Sequence, residues 1–172
     1  AVGGEKSPRL AGYAAVFNLP SQDLGGFTEI VKPGAFTRTL KTDRDPLALV
    51  QHMPQLVLGR RSAGTLHLFE DAKGLAFEID VPDTTAARDL IVSVERGDVK
   101  GASFAFSTPA GGDRWEVRGD KMVRELIDID LHEVTITAQT AYLDTSVARR
   151  SFDLKFAPSP RLRALRRFLE TV

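Results

Sequence analysis

The sequence predicts a mainly β domain with flanking helices, an α+β fold. Short segments in which apolar and polar residues alternate recur along the chain, as in strands with one buried face. Glycine, proline, asparagine and aspartate separate these segments, and those residues are typical of turns. Apolar residues at helical spacing are confined to a few segments. Most of the domain is therefore predicted to be sheet.

The first half of the chain is predicted to contain several strands and one brief helix. The helix, Ala35 to Leu40, follows the pattern-breaking Lys32-Pro33-Gly34 and places Phe36 and Leu40 on one side. A turn from Glu70 to Gly74 suits a hairpin. The predicted strands are Leu10 to Phe17, Phe27 to Val31, Pro46 to His52, Gly64 to Glu70 and Gly74 to Val81.

A longer helix is predicted at the start of the second half, and strands follow it. Thr84 or Thr85 can cap this helix, which runs to about Arg96 before Gly97 ends it. Its apolar residues recur at helical spacing and give it one core-facing stripe. The strands predicted after it are Gly101 to Ser107, Trp115 to Arg118, Lys121 to Arg124 and Ile127 to Thr137.

The end of the chain has a different pattern. After Pro160, an apolar stripe of Leu162, Leu165 and Leu169 runs beside several arginines, which predicts a basic amphipathic helix. We expect this helix to pack on the domain, on a second copy or on a larger assembly. The predicted organisation is one domain over residues 1–150, followed by a linker and this helix over residues 151–172.

Composition excludes several classes of protein. The 172 residues suffice for one domain with a real core, and the apolar share of 42% is that of a globular protein. The 23 Lys and Arg balance the 23 Asp and Glu, so neither nucleic acid nor a membrane surface is an expected partner. The absence of cysteine excludes thiolate chemistry and fits a reducing, cytoplasmic compartment.

Two short segments each end an apolar run with one reactive side chain. His52 follows the run Leu47 to Val50 at a predicted strand end, where a rigid scaffold can aim it at a cleft. Ser103 follows Gly101 in another apolar strand, where its hydroxyl could be held dry and fixed. A serine and a histidine base are the groups needed for nucleophilic acyl transfer. A packed core serine and a solvent-facing histidine are the structural alternatives.

A third segment offers a group to orient the histidine. His132 and Glu133 are adjacent on a predicted strand, so alternation places their side chains on opposite faces and only one can reach the site. A carboxylate would fix the tautomer of His52 and stabilise its imidazolium form, which favours Glu133. His132 stays the alternative third member. The same alternation places Leu131, Thr135 and Thr137 on the face of Glu133.

Other kinds of site find little support. His67 lies on a half-exposed strand and is predicted to be structural. The dispersed histidines lack the spacing of a metal site, and Gly111-Gly112-Asp113 lacks the Lys-Ser/Thr of a phosphate loop. No metal or cofactor is expected. The segment around Ser103 also has Ala105 where the nucleophile elbow of α/β-hydrolases has glycine, which disfavours that class.

An ordered series of segments resembles the prohead (capsid maturation) proteases of HK97-like tailed phages. The similarity spans about residues 10 to 150, and related proteins also occur in phage-derived gene transfer agents. This family is linked to the herpesvirus assemblin-type serine proteases, whose fold is a β-barrel flanked by helices. The segments are Gly12 to Asn18, Glu29 to Phe36, His52 with Leu58-Gly59-Arg60, Gly101 to Phe106, and Leu131 to Val134.

The resemblance implies a serine endopeptidase with His52, Ser103 and Glu133 as its catalytic residues. Such an enzyme removes scaffold segments from the major capsid protein or a scaffold protein, commonly cleaves itself, and acts inside the immature procapsid in the host cytoplasm. The assemblin relatives are activated by dimerisation, which implies a homodimer, and their third catalytic residue is a histidine, which keeps His132 open. Ala105 and Met53 stand where the family commonly has Gly and an acidic residue.

Two other functions compete with the protease. A structural or scaffold module of the capsid could share the fold and do no chemistry. A serine hydrolase acting on small esters is a more distant alternative, because the sequence offers no pocket signature for it. Replacing Ser103 by Ala would distinguish a protease from a structural module, since only the protease would stop processing its substrate.

Overall fold

The computed structural model describes the backbone of residues 8–150 and the side chains of residues 8–147. Two helices lie among the strands of this part of the chain, α1 (Thr37–Lys41) and α2 (Thr85–Arg96). The strands are β1 (Arg9–Val16), β2 (Phe27–Val31), β3 (Leu47–Val50), β4 (Met53–Arg60), β5 (Leu66–Glu70), β6 (Gly74–Asp80), β7 (Gly101–Ser107), β8 (Asp113–Arg118), β9 (Lys121–Leu126), β10 (Asp130–Thr137) and β11 (Ser146–Arg150).

The strands of the described residues form three hydrogen-bonded sheets. Their orders are β11-β1-β6-β5, β4-β3-β10-β7 and β2-β9-β8. Most pairs are antiparallel, but β10 pairs with β3, and β2 with β9, in parallel. The prediction of a mainly β fold with flanking helices is therefore confirmed, although hydrogen bonding divides the strands among three sheets and does not close them into one barrel.

One core joins the sheets and both helices. Alternating residues of β1, β6, β7 and β10 fill it, and α2 adds its apolar stripe of Ala87, Leu90, Ile91 and Val94. Phe36, at the start of α1, is fully buried, and its ring packs against the rings of Phe17 and Phe104. Phe104 is the residue that follows Ser103, so this aromatic cluster supports β7 from the core side.

The ends of α2 agree with the sequence-based expectation. The Thr84 side chain accepts a hydrogen bond from the backbone N–H of Ala87 at 3.3 Å, which satisfies one free donor of the first turn. Gly97 ends the helix in the left-handed conformation with φ of 81°, where a side chain would be strained. Capping and apolar spacing thus define this helix locally, independently of the sheets.

Two strands were not predicted from the sequence. β4 begins with the exposed residues Met53 to Gln55, and Pro54 lies within it, so the usual strand pattern is weak there. Two register shifts interrupt its pairing with β3. β11 is a short edge strand that is defined by its pairing with β1. Such strands depend on their partners more than on their own sequence.

Two further predicted segments differ from the described structure or lie outside it. The predicted strand Ile127 to Thr137 begins later, at Asp130. No helix among the described residues combines the length and apolarity needed to cross a bilayer. The linker and basic helix predicted over residues 151–172 lie outside the described residues.

Replacing Phe36 by Ala is expected to lower the free energy of unfolding by about 3–5 kcal/mol, because it leaves a cavity between Phe17 and Phe104. Urea denaturation followed by circular dichroism measures this loss. Val117→Ala is the control, because that side chain is 68% exposed and its truncation should change the free energy of unfolding by less than about 0.5 kcal/mol. Equal losses in the two variants would contradict the assignment of Phe36 to the core.

Candidate active site

The candidate site is built on three neighbouring strands, β3, β10 and β7. Thr135 at the middle of β10 lies opposite Leu49 of β3 on one side and opposite Ser103 of β7 on the other. Residues directly opposite each other on paired strands share a face of the sheet. Ser103, Thr135 and Glu133, which lies two residues before Thr135, therefore face the same way.

His52 enters this face from a tight turn between β3 and β4. The turn consists of Gln51 and His52 alone, since Val50 pairs with Met53. Both turn residues have positive φ, 52° and 57°, which is the backbone of a type I′ hairpin turn. Neither is glycine, so tertiary contacts must hold this backbone. The predicted strand Pro46 to His52 thus ends at Val50, and His52 is a turn residue.

The structure brings His52 and Glu133 into direct contact. Nδ1 of His52 lies 2.5 Å from Oε1 of Glu133, across 81 positions of sequence. The imidazole is 44% exposed and the carboxylate only 14% exposed, so one side of the ring is held by a largely buried anion. A carboxylate accepts, so Nδ1 is the donor in this pair, and in a neutral imidazole with that tautomer Nε2 carries the lone pair.

Ser103 lies in the third strand of the group. Its side chain is largely buried, with 9% of the residue exposed. From β3 to β7 is two strand spacings, about 10 Å, and β10, with Thr135 opposite Ser103, lies between these two strands. Ser103, His52 and Glu133, three residues distant in sequence, are thus gathered on one face of one sheet.

His132 occupies a different environment from its neighbour Glu133. Its Nε2 lies 2.9 Å from Oγ of Ser107, and both residues are exposed. The register of β10 against β7 shifts between Leu131 and Glu133, which is a β-bulge at His132. The bulge also corrects the expectation for Leu131: this residue joins the core with Val134 and Ile136 and does not share the face of Glu133.

Two threonines that the sequence analysis did not single out hold the His52 turn. Oγ of Thr135 accepts from the backbone N–H of His52 at 2.9 Å, and Oγ of Thr137 donates to Oε1 of Gln51 at 2.7 Å. Both threonines are buried. Their period-two spacing from Glu133 was visible in the sequence, but their contact with residues 51 and 52 depends on the pairing of β3 with β10.

A buried polar network lies behind Ser103 on the core side. The ring of Tyr142 stacks on that of Phe104, and its hydroxyl donates to Oε1 of Glu29 at 2.6 Å. Arg124 binds the other oxygen of Glu29 and also Asp113. Burial, together with the negative charge of Glu29, raises the pKa of Tyr142 far above its ordinary value. This network fastens the segment after β10 to the sheet β2-β9-β8.

An open, polar cavity of about 840 Å³ lies where β7 begins and β10 ends. Gly101, two residues before Ser103, lines it together with Lys100, Gln139 and Thr140. The cavity therefore lies two residues along β7 from Ser103, and its lining does not include His52, Ser103 or Glu133. Elsewhere, His67 is 45% side-chain exposed and lies 3.9 Å from Asp80, away from this face. Among the described residues, no cluster of His, Asp and Glu has the arrangement of a metal site.

Comparison with known proteins identifies a family. A model of the family described as Caudovirus prohead serine protease matches residues 2–157, which is most of the chain. A search of curated protein sequences finds no match.

Solved structures share the fold. The protease of Kaposi's sarcoma-associated herpesvirus, in complex with a hexapeptide phosphonate inhibitor, matches with a TM-score of 0.55 and 13% identity over 95% of this chain and 77% of that one. The protease of varicella-zoster virus matches with a TM-score of 0.53 and 13% identity over the same shares. The predicted assemblin-like fold is thereby confirmed.

Replacing Tyr142 by Phe is expected to lower stability at neutral pH by about 1–3 kcal/mol, because the Glu29 carboxylate loses a buried partner. The raised pKa of Tyr142 also makes its contribution to stability depend on pH. The unfolded state releases the tyrosine proton above about pH 10, whereas the folded state retains it, so this residue's contribution to stability falls as the pH rises past that value.

Urea denaturation of both proteins between pH 7 and pH 11 measures this difference. The wild type should lose more stability than Tyr142→Phe above about pH 10. Parallel curves for the two proteins across that range would contradict the burial of a neutral Tyr142.

Proposed function

Since the chain belongs to the Caudovirus prohead serine protease family, we propose that it is an endopeptidase in which Ser103 is the nucleophile, His52 the general base and Glu133 the group that orients His52. The observation that carries this assignment is the 2.5 Å contact between Nδ1 of His52 and Oε1 of Glu133, on the sheet face that Ser103 shares. His132, the alternative third residue, contacts Ser107 instead.

The geometry supports a division of roles among these residues. With Nδ1 donating to Glu133, a neutral His52 would use the lone pair of Nε2 to accept the proton of the Ser103 hydroxyl. Ser103 Oγ would bond to the carbonyl carbon of the substrate while its proton passes to Nε2. His52 then gives that proton to the leaving amine as the peptide bond breaks, and a water molecule hydrolyses the acyl ester by the same route.

The substrate we propose is the major capsid protein or a scaffold protein, cleaved inside the immature procapsid in the host cytoplasm. Cleavage of the chain itself and activity as a homodimer are part of the same proposal. The family description supports the setting, since a prohead is an immature capsid. The cavity beside Gly101 supports a peptide substrate, because an endopeptidase must accommodate residues beyond the scissile bond.

Co-expression of the chain with its neighbouring capsid protein is expected to shorten the capsid protein at a defined site, whereas the Ser103→Ala variant should leave it at full length, because the attacking oxygen is gone. Intact mass spectrometry of both proteins measures the cleavage. Circular dichroism of the purified variant controls for folding. Identical, untrimmed masses with wild type and variant would reject the protease and favour the structural module.

Replacing Glu133 by Gln is expected to lower kcat by about 10³- to 10⁴-fold, because an amide cannot stabilise the imidazolium or fix the same tautomer. His132→Ala is the matched control, since it removes the adjacent side chain of the same strand and should keep a rate close to wild type. Cleavage of a peptide that spans the mapped site measures both. A large loss in His132→Ala with little in Glu133→Gln would exchange the roles of these residues.

A further inference from the structure

We infer that Thr135 is a positioning residue for His52: its buried hydroxyl holds the backbone of the strained turn that presents the imidazole to Glu133, on the sheet face that Ser103 shares. The inference rests on the proposed function for its catalytic consequence. The structural basis does not depend on the catalytic roles of Ser103 and Glu133. The two hydrogen bonds described for the Thr135 hydroxyl are with main-chain atoms of His52 and Leu49.

The turn needs an external hold. Gln51 and His52 are consecutive non-glycine residues with φ of 52° and 57°, a region that side chains disfavour. Two-residue hairpins of this type favour Asn-Gly or Gly-Gly for that reason. A histidine in this position is therefore held against its own backbone preference, so contacts from outside the turn must fix the direction in which its ring leaves the sheet.

Thr135 supplies that contact with both functions of its hydroxyl. The oxygen accepts from the N–H of His52 at 2.9 Å, and the proton is donated to the carbonyl of Leu49 at 3.1 Å. The hydroxyl thus bridges the last part of β3 to the turn. Thr135 has no exposed surface, so water cannot replace either bond.

The position of Thr135 links the His52 turn to both other residues of the candidate site. Its cross-strand partner is Ser103, and Glu133 lies two residues earlier on the same face of β10. Thr135 therefore fixes the position of the His52 backbone relative to β7, which carries Ser103, and β10, which carries Glu133. A shift of the His52 backbone would lengthen the Nδ1 to Oε1 contact, and small misplacements of this kind are costly for rate.

The test compares Thr135→Val, which keeps the shape and removes the hydroxyl, with Thr135→Ser, which restores the hydroxyl. Thr39→Val is the matched control. Thr39 is also fully buried, donates to the carbonyl of Ile129 and accepts from the N–H of Leu131 at 3.2 Å, so its loss removes the same kind of bridge at the far end of β10.

Two readouts are taken on the full-length chain. The first is the rate at which a fluorophosphonate probe labels Ser103, with Ser103→Ala as the blank; for a cleavable peptide, kcat and KM are measured separately. The second is the downfield NMR signal of the His52 Nδ1 proton, assigned by its loss in His52→Ala. This signal reports the contact with Glu133 whether or not the protein turns over a substrate.

The expected result is a fall of about 10²-fold in labelling rate and kcat for Thr135→Val, with KM little changed and the Nδ1 signal lost or shifted. Thr135→Ser should restore both readouts, and Thr39→Val should keep both while losing thermal stability. A wild-type Nδ1 signal in Thr135→Val, or an equal loss in Thr39→Val, would overturn the inference. Absence of labelling in the wild type would reject the proposed function alone, because the NMR comparison still decides the role of Thr135.

Discussion

The pairing of β10 with β3 on one side and β7 on the other is the constraint on which the candidate site depends. A single register places Leu49, Thr135 and Ser103 in one row across the three strands. Because side chains alternate along a strand, a slip of one residue between β10 and β7 would place Ser103 and Glu133 on opposite faces of the sheet. The register is held by the core face of the same strands, where Val134, Ile136, Phe104 and Ala102 are buried. The hydrophobic core therefore fixes the polar site through the opposite face of the sheet.

The two faces of this sheet contribute differently: one provides stability, and the other holds the polar groups of the candidate site. Apolar burial on one face provides stability that is spread over many side chains, and the loss of any one costs a few kcal/mol. The other face carries polar groups along β10, where Thr135, Thr137 and Glu133 bind the backbone or side chains of residues 51 and 52. A turn made of disfavoured backbone is tolerated there because the strands around it are rigid. Strain of this kind is common at functional sites, where the surrounding fold over-determines the local conformation.

Two kinds of feature could be predicted from the sequence: elements with strong local signals, and site residues with distinct chemistry. The helix α2 was predicted because its cap, its apolar spacing and its terminal glycine lie within one segment. The strands β4 and β11 were not, since pairing defines them more than composition does. Likewise, His52 and Ser103 could be chosen by residue type, whereas Thr135 could not: a buried threonine becomes a support for His52 only when β3 is known to lie beside β10. Long-range pairing is the information that periodicity lacks.

The β-bulge at His132 determines which residue of β10 faces His52. Adjacent residues of a regular strand face opposite ways, so alternation alone allows either His132 or Glu133 to reach the site. The choice follows from the pairing after the bulge, where Glu133 lies opposite Ala105 and Thr135 opposite Ser103. Before the bulge, Leu131 returns to the core, which it could not do in a regular strand with Glu133 on the outer face. The extra residue thus lets one strand bury Leu131 and still present Glu133 to His52, and His132 is the residue left to project toward Ser107.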